Sequence, residues 1–383
     1  MKESSGRRAV RVGFVLHVMQ VAGAEVLVAE TIRRLGSRID PVVFCLDAIG
    51  ALGERLISEG VPVVAFGRRP GIDVGLPFRL AREIHHRKVD VVHAHQYTPF
   101  FYGALAARLS AVHPKVIFTE HGRHYPDVVS PRRRALNRLV LARLADRVNA
   151  VCEFSASSLA EKDGFDRDRI EVIPNGIDLH RYQSSEGVHA LRRRLGLDPC
   201  RRYVTSVARF HPVKDHRTLL HAFAQVARQR QDTDLLLVGD GVLRAEMEQL
   251  AASITPAGRV HFMGVRNDVE DLLAASDVFT LTSVSEAASI TLLEAMAAAK
   301  PVVVTAVGGN PELVRDQLDG LLAPRGNAPA IAEALLRILA DDDLARSMGR
   351  SAQEWVRTHF QLDRTIARYG ELYADGTQRR QAA

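Results

Sequence analysis

The stretch Thr282-Ser283-Val284-Ser285-Glu286-Ala287-Ala288-Ser289-Ile290-Thr291-Leu292-Leu293-Glu294-Ala295-Met296-Ala297 stands between two apolar runs, Asp277-Val278-Phe279-Thr280-Leu281 and Pro301-Val302-Val303-Val304. The β-branched and aromatic residues of those runs predict strands. The segment between them predicts a polar turn, then a helix opening near Ser289 and rich in good helix formers. A helix N-terminus carries unpaired backbone N–H groups and about half a positive charge, which favours an anion. Glu286 in the turn and Glu294 on the helix set one carboxylate on each side of that end. The unit therefore offers donors to a phosphate and acceptors to flanking hydroxyls, the pattern of groups found in a nucleotide sugar.

Outward from this unit the chain alternates short apolar strands with helical stretches. Strands are predicted near 12–18, 41–46, 62–66, 90–94, 116–119 and 148–152. Helices are predicted up to Leu35 and near 52–59, 76–87, 100–109, 131–145 and 155–162. Ile170–Asp178 closes this half with a Pro174-Asn175-Gly176 turn, and Ser184-Ser185-Glu186-Gly187 reads as a hinge. A second series has strands near 203–207, 235–238, 260–262, 278–281, 302–304 and 320–322. Such alternation predicts an α/β fold with parallel, doubly wound sheets. The expected organisation is two facing Rossmann-like domains, 1–183 and 184–360, with an interdomain cleft. In the last segment, 361–383, Ile366, Tyr369, Leu372 and Tyr373 have helical spacing.

Composition bounds the reading further. At 383 residues, with 46% hydrophobic and 25% charged residues, the chain is globular and suits two domains. Its formal charge of +6 and pI near 9.4 suit anionic lipid or phosphorylated substrates as well as nucleic acid. No nucleic-acid-reading motif accompanies that charge. Cys45, Cys152 and Cys200 are scattered and odd in number, which predicts no disulfide framework and a reducing, cytoplasmic setting. No apolar run reaches the roughly 20 residues of a membrane span.

The spacing Glu286-x7-Glu294, followed by Ala-Met-Ala and Lys300-Pro301-Val302-Val303, resembles the signature of the family-four retaining glycosyltransferases, which have the GT-B fold. Ala208-Arg209-Phe210-His211-Pro212-Val213-Lys214 is similar to that family's arginine-plus-lysine segment, and Phe118-Thr119-Glu120-His121-Gly122 to its strand-end histidine segment. The resemblance implies a nucleotide-sugar-binding C-terminal domain, an acceptor-binding N-terminal domain, and a terminal helix crossing back onto the latter. Arg209 and Lys214 would meet the diphosphate, one as a fork and the other as a point charge. Ile290 and Thr291 would give it backbone N–H groups, and Glu294 would accept the ribose hydroxyls. Glu286 would face the transferred sugar. Gly23 would lie on the phosphate side, Gly239 in the glycine turn below the donor, and Val265 against the nucleobase. His121 would hydrogen-bond the transferred sugar or the acceptor, with His95 lining the acceptor side.

The implied reaction moves a sugar from a nucleotide-diphosphate donor to a hydroxyl, with retention. UDP-sugar is favoured, then GDP-mannose; the acceptor would be a glycan or a lipid-linked glycan. Charge on the leaving phosphate would be met by Arg209, Lys214 and the helix end, and that phosphate would take the acceptor's proton. Two departures stand out: Ala287-Ala288 replaces the family's glycine or alanine plus aromatic residue, and Ala22 replaces a frequent glycine.

Neither metal nor cofactor is implied. His93, His95, His121 and His124 lack the carboxylate or further imidazole partners of a defined metal geometry. Asp232-Thr233-Asp234 leads into an apolar run and reads as a strand entrance. Arg132-Arg133-Arg134-Ala135-Leu136-Asn137-Arg138-Leu139-Val140-Leu141-Ala142-Arg143 is basic and amphipathic. Two readings of it stand: a helix docking on anionic headgroups at the inner face of the membrane, or a solvated helix whose apolar side is core. An alternative for the whole chain is a catalytically silent nucleotide-sugar-binding subunit of a polysaccharide assembly complex. A nicotinamide-dependent oxidoreductase is disfavoured because the first turn lacks Gly-x-Gly-x-x-Gly.

Overall fold

The computed structural model describes residues 8–122, 129–183 and 186–381. It divides into two compact units, one of residues 1–175 together with 363–383 and the other of 176–362.

The first unit holds a seven-stranded parallel sheet: β1 Val10–Val18, β2 Ile39–Ala48, β3 Val63–Ala65, β4 Val91–His95, β5 Lys115–Glu120, β6 Arg147–Ala150 and β7 Ile170–Val172. Their order is β3-β2-β1-β4-β5-β6-β7. Helices between the strands cover the sheet, as parallel strands require. Phe44, Phe100 and Phe118 are fully buried, and the last two stack at 4.4 Å.

The second unit repeats the plan with β8 Arg202–Val207, β9 Thr233–Val238, β10 Val260–Gly264, β11 Val278–Leu281, β12 Val302–Thr305 and β13 Gly320–Ala323. Their order is β10-β9-β8-β11-β12-β13, again all parallel. The segment Asp232-Thr233-Asp234 is indeed a strand entrance. Asp234 is buried there and binds Arg201, Arg259 and His261, so its carboxylate is spent on structure.

The chain passes from the first unit to the second at Asn175, earlier than the polar stretch at 184–187 suggests. Backbone pairing explains the difference. Ile177 N donates to Phe360 O at 2.7 Å and Leu362 N to Ile177 O at 3.1 Å, while Ile177 and Tyr182 are buried in the second core. Ser184 and Ser185 lie outside the described residues. The final helix, Leu362–Gln381, belongs to the first unit from Asp363 onward. Ile366, Tyr369, Leu372 and Tyr373 are buried, which is what their spacing predicts. Thr365 Oγ1 donates to Pro174 O at 2.8 Å and Arg368 forks Glu171.

Candidate active site

β8 and β11 are neighbours although β9 and β10 lie between them in the chain, so the sheet order reverses there. Loops leaving two such strands diverge and open a crevice at the carboxyl ends, where open α/β sheets hold ligands. Arg209–Lys214 leave β8 and Thr282–Ser289 leave β11. Two hydrogen bonds join these loops: Thr282 Oγ1 donates to Asp215 O and Val284 N to Val213 O, each at 2.9 Å. Asp215 stands at φ +47, and its carboxylate caps the helix His216–Gln229 by accepting from Thr218 N and Oγ1.

That turn brings Lys214 Nζ onto Glu286 Oε1, where Ser283 Oγ also donates at 2.6 Å. Both charged side chains are largely buried. The loop after β12 contributes the third support. Thr305 Oγ1 donates to Ser283 O at 2.7 Å and Gly309 N to Glu286 O at 3.2 Å. Gly308 has φ +54, and a Cβ placed on it would lie 1.8 Å from Glu286 O, so the position demands glycine.

The helix Ile290–Ala297 opens where the sequence places it. Ser289 is extended and caps it, its Oγ accepting from Leu292 N at 3.4 Å. Ile290 and Thr291 are therefore the first two helical residues, whose N–H groups have no partner within the helix. Leu292, Leu293 and Met296 are fully buried, and burying each stabilises the unit by roughly 1.5–3 kcal/mol. Glu294, one turn in, is half-buried, with Tyr182, Arg181 and Glu270 around it. Burial raises its pKa; Tyr182 and Arg181 pull the other way, and Glu270 adds to the rise.

Arg209 is exposed, and among the described residues no hydrogen bond joins it to Lys214 or Glu286. Its neighbours are tightly fixed. Ala208 N donates to Val238 O and Phe210 N to Asp240 O, and a Cβ on Gly239 would lie 2.2 Å from Ala208 O. Gly239 N in turn donates to Gly264 O at 2.8 Å, so the Gly239 turn and Val265 adjoin. Val265 is 74% exposed.

In the first unit the order reverses between β1 and β4. Gly23 follows β1 as the first residue of the helix Gly23–Leu35, and His95 ends β4. His95 Nδ1 and His121 Nε2 are 2.8 Å apart, with rings stacked at 5.1 Å between centroids. Beneath them, the Thr119 hydroxyl donates to Asn149 Oδ1 and so accepts from His93 Nε2–H, both at close range. His93 Nδ1 then accepts from the Tyr373 hydroxyl at 2.7 Å. Burial pushes His93 down to about 3 and His121 to about 4, and holds His95 well below the usual imidazole value. These rings are neutral near pH 7 and work as hydrogen-bonding groups, not cations. Among the described residues no group of three or more His, Cys, Asp or Glu is placed to hold a metal ion. His124 lies outside the described residues.

The structure thus joins Lys214 to Glu286 in the second unit, in the loop that runs into the helix opened by Ile290 and Thr291, with Glu294 on that helix. Sequence reasoning missed Ser283, Tyr182 and Gly308. The pair Gly308-Gly309 in the turn after β12 was a usable signal; nothing marked Tyr182, which reaches Glu294 across 112 positions of chain.

The chain's likenesses agree with this geometry. The family described as Glycosyl transferases group 1 matches residues 188–355, and Glycosyltransferase Family 4 matches 21–181. The N-acetyl-alpha-D-glucosaminyl L-malate synthase of Bacillus anthracis is 29% identical over 309 residues, 80% of each chain. The UDP-Gal:alpha-D-GlcNAc-diphosphoundecaprenol alpha-1,3-galactosyltransferase of Escherichia coli is 27% identical over 306 residues, 77% of this chain and 78% of that one. The crystal structure of Anabaena Alr3699/HepE in complex with UDP and glucose superposes with a TM-score of 0.85 at 24% identity, covering 96% of this chain and 100% of the other. Two reversing parallel sheets of the GT-B kind, a capped Glu-x7-Glu helix, and matches spanning most of both units lead to one conclusion: the chain belongs to the group 1 glycosyl transferases.

Proposed function

We propose that this glycosyltransferase takes its sugar from a UDP-sugar, with GDP-mannose the next candidate. The acceptor is a hydroxyl of a glycan or lipid-linked glycan, transfer retains anomeric configuration, and no metal takes part. The reading rests above all on the Lys214–Glu286 pair in the loops after β8 and β11, a few residues ahead of the open N-terminus of the helix Ile290–Ala297. An ammonium and two free N–H groups suit a diphosphate, and the carboxylate beside them suits sugar hydroxyls. The Escherichia coli relative is named for UDP-Gal, and the Anabaena structure holds UDP and glucose, which favours uridine.

In this reading Lys214, Arg209, Ile290 and Thr291 stabilise the charge that grows on the leaving phosphate. Glu286 orients the transferred sugar, and Glu294 takes the ribose hydroxyls. Gly239 and Val265 lie along the donor, and Gly23 lets backbone approach its phosphates. Neutral His121, in line with His95, hydrogen-bonds the sugar or the acceptor. The departing phosphate takes the acceptor's proton, so the site needs no separate base.

A thermal-shift panel of UDP-, GDP- and ADP-sugars tests the donor. A ligand at 100 times its Kd stabilises the fold by about 2.7 kcal/mol, so the UDP-sugar should raise the melting temperature most. No shift with any of them would overturn the reading. A shift without transfer or hydrolysis by the purified protein, with or without added divalent metal, would instead indicate the silent binding subunit.

A further inference from the structure

The segment 129–144 contains five arginines and no acidic residue. It forms one helical run, Pro131–Leu136, a π turn at Asn137–Leu141, and Ala142–Leu144, capped by Ser130. An ordinary surface helix buries its apolar side and shows water its polar one. Here the anchored side holds polar groups beside its apolar ones. Arg133 lies 3.6 Å over the Tyr97 ring and pairs with Asp163 at 3.0 Å. Asn137, fully buried, accepts from the Tyr97 hydroxyl at 2.5 Å and donates to Asp163 O at 2.9 Å. Leu141 continues this inward side.

The outward side carries apolar residues as well. Leu139 is 61% exposed, Leu136 45% and Val140 44%, with Val129 exposed just ahead of the helix. Arg132, Leu136, Leu139 and Arg143 fall at the i, i+4, i+7, i+11 spacing of a single helix face, and Arg138 is exposed beside it. Arg132, Arg138 and Arg143 make no ion pair among the described residues. Leu141 and Ala142 give the helix an apolar core side, with Leu144 packed against it, but Leu136, Leu139 and Val140 face out, so that core side does not account for the apolar residues of the segment.

We infer that this face is a docking surface for an anionic lipid bilayer. Leu136, Leu139 and Val140 enter the boundary between headgroups and acyl chains, while the arginines bracketing them reach up to lipid phosphates. Charge complementarity selects this occupant: the segment holds five of the positive charges in a chain whose net charge is +6. The inference stands on the helix alone and does not depend on the donor proposed above.

Co-sedimentation of the full chain with phosphatidylcholine vesicles, with and without phosphatidylglycerol, tests it. The chain should pellet with the anionic vesicles only, and less as salt rises. Each arginine near such a surface is worth roughly a five-fold change in partitioning, so Arg132→Gln/Arg138→Gln/Arg143→Gln should weaken binding about a hundred-fold. Leu139→Asp should abolish pelleting, and Val188→Asp on the second unit should leave it unchanged, with circular dichroism melts showing all variants folded. No pelleting by the parent chain, or equal pelleting by every variant, would overturn the inference. So would a dimer in sedimentation velocity that Leu139→Asp separates, since the occupant would then be a second copy. Vesicle binding by protein that moves no nucleotide-linked sugar would leave this surface standing and remove the donor reading.

Discussion

Lys214 and Glu286 are bonded to each other across 72 positions of sequence, and little of either side chain is exposed. The pair joins the loop after β8 to the loop after β11, so a cation suited to phosphate and a carboxylate suited to a sugar share one fixed geometry. Charged partners this enclosed depend on one another, because removing one strands the other.

Lys214→Ala is expected to lower kcat by 10²–10³, roughly 2.7–4 kcal/mol of barrier, the range for losing one preorganised contact to developing charge. Ser283 still donates to Glu286, and the Thr282–Asp215 and Val284–Val213 bonds remain, so the chain should keep its fold. Steady-state kinetics beside a thermal melt checks both halves. Near-normal turnover would remove Lys214 from the site.

Gly308→Ala should displace the Glu286 loop, because the new Cβ would arrive 1.8 Å from Glu286 O at φ +54. Gly60 provides the control. It too has positive φ, +86, but nothing lies within 4 Å of its added Cβ. Gly60→Ala should cost about 1 kcal/mol of stability through backbone conformation alone and spare activity. Gly308→Ala should lose more stability and most activity. Similar behaviour of the two variants would mean that the glycine does not hold the loop.

Acid should destabilise the protein well before its carboxylates are generally protonated. Unfolded histidines take up protons near pH 6.5, whereas His93 and His121 resist to about 3 and about 4, and His216 likewise to about 4. The unfolded chain thus binds more protons between those limits, and stability falls as pH drops through them. Glu294 acts with the opposite sign: its raised pKa means stability is lost as pH climbs past the ordinary glutamate value. One glutamate opposes several imidazoles, so the melting temperature should fall from pH 7 to pH 5. A flat profile over that range would contradict the burial of these rings.

Much of the fold was readable because its signals are local. Each strand is a compact apolar run, and the Ser289 cap and the 366–373 spacing announce their helices without reference to distant chain. The Glu286–Glu294 unit was readable for the same reason. What lay hidden depends on long-range placement. The boundary at Asn175 follows from Ile177 pairing with Phe360, and Tyr182 reaches Glu294 only through folding. The helix at 131–144 shows the limit most sharply. Its pattern is equally compatible with leucines inside or outside, and Tyr97 with Asp163, elsewhere in the chain, settles which side is held.

The helix Leu362–Gln381 carries a consequence for how the protein is made. Tyr373 satisfies His93, and Ile366 and Leu372 fill space in the same unit, yet the ribosome delivers them after all of residues 176–362. The half of the molecule that is translated first is therefore completed last, and a nascent chain must hold its opening sheet unfinished until its closing helix emerges.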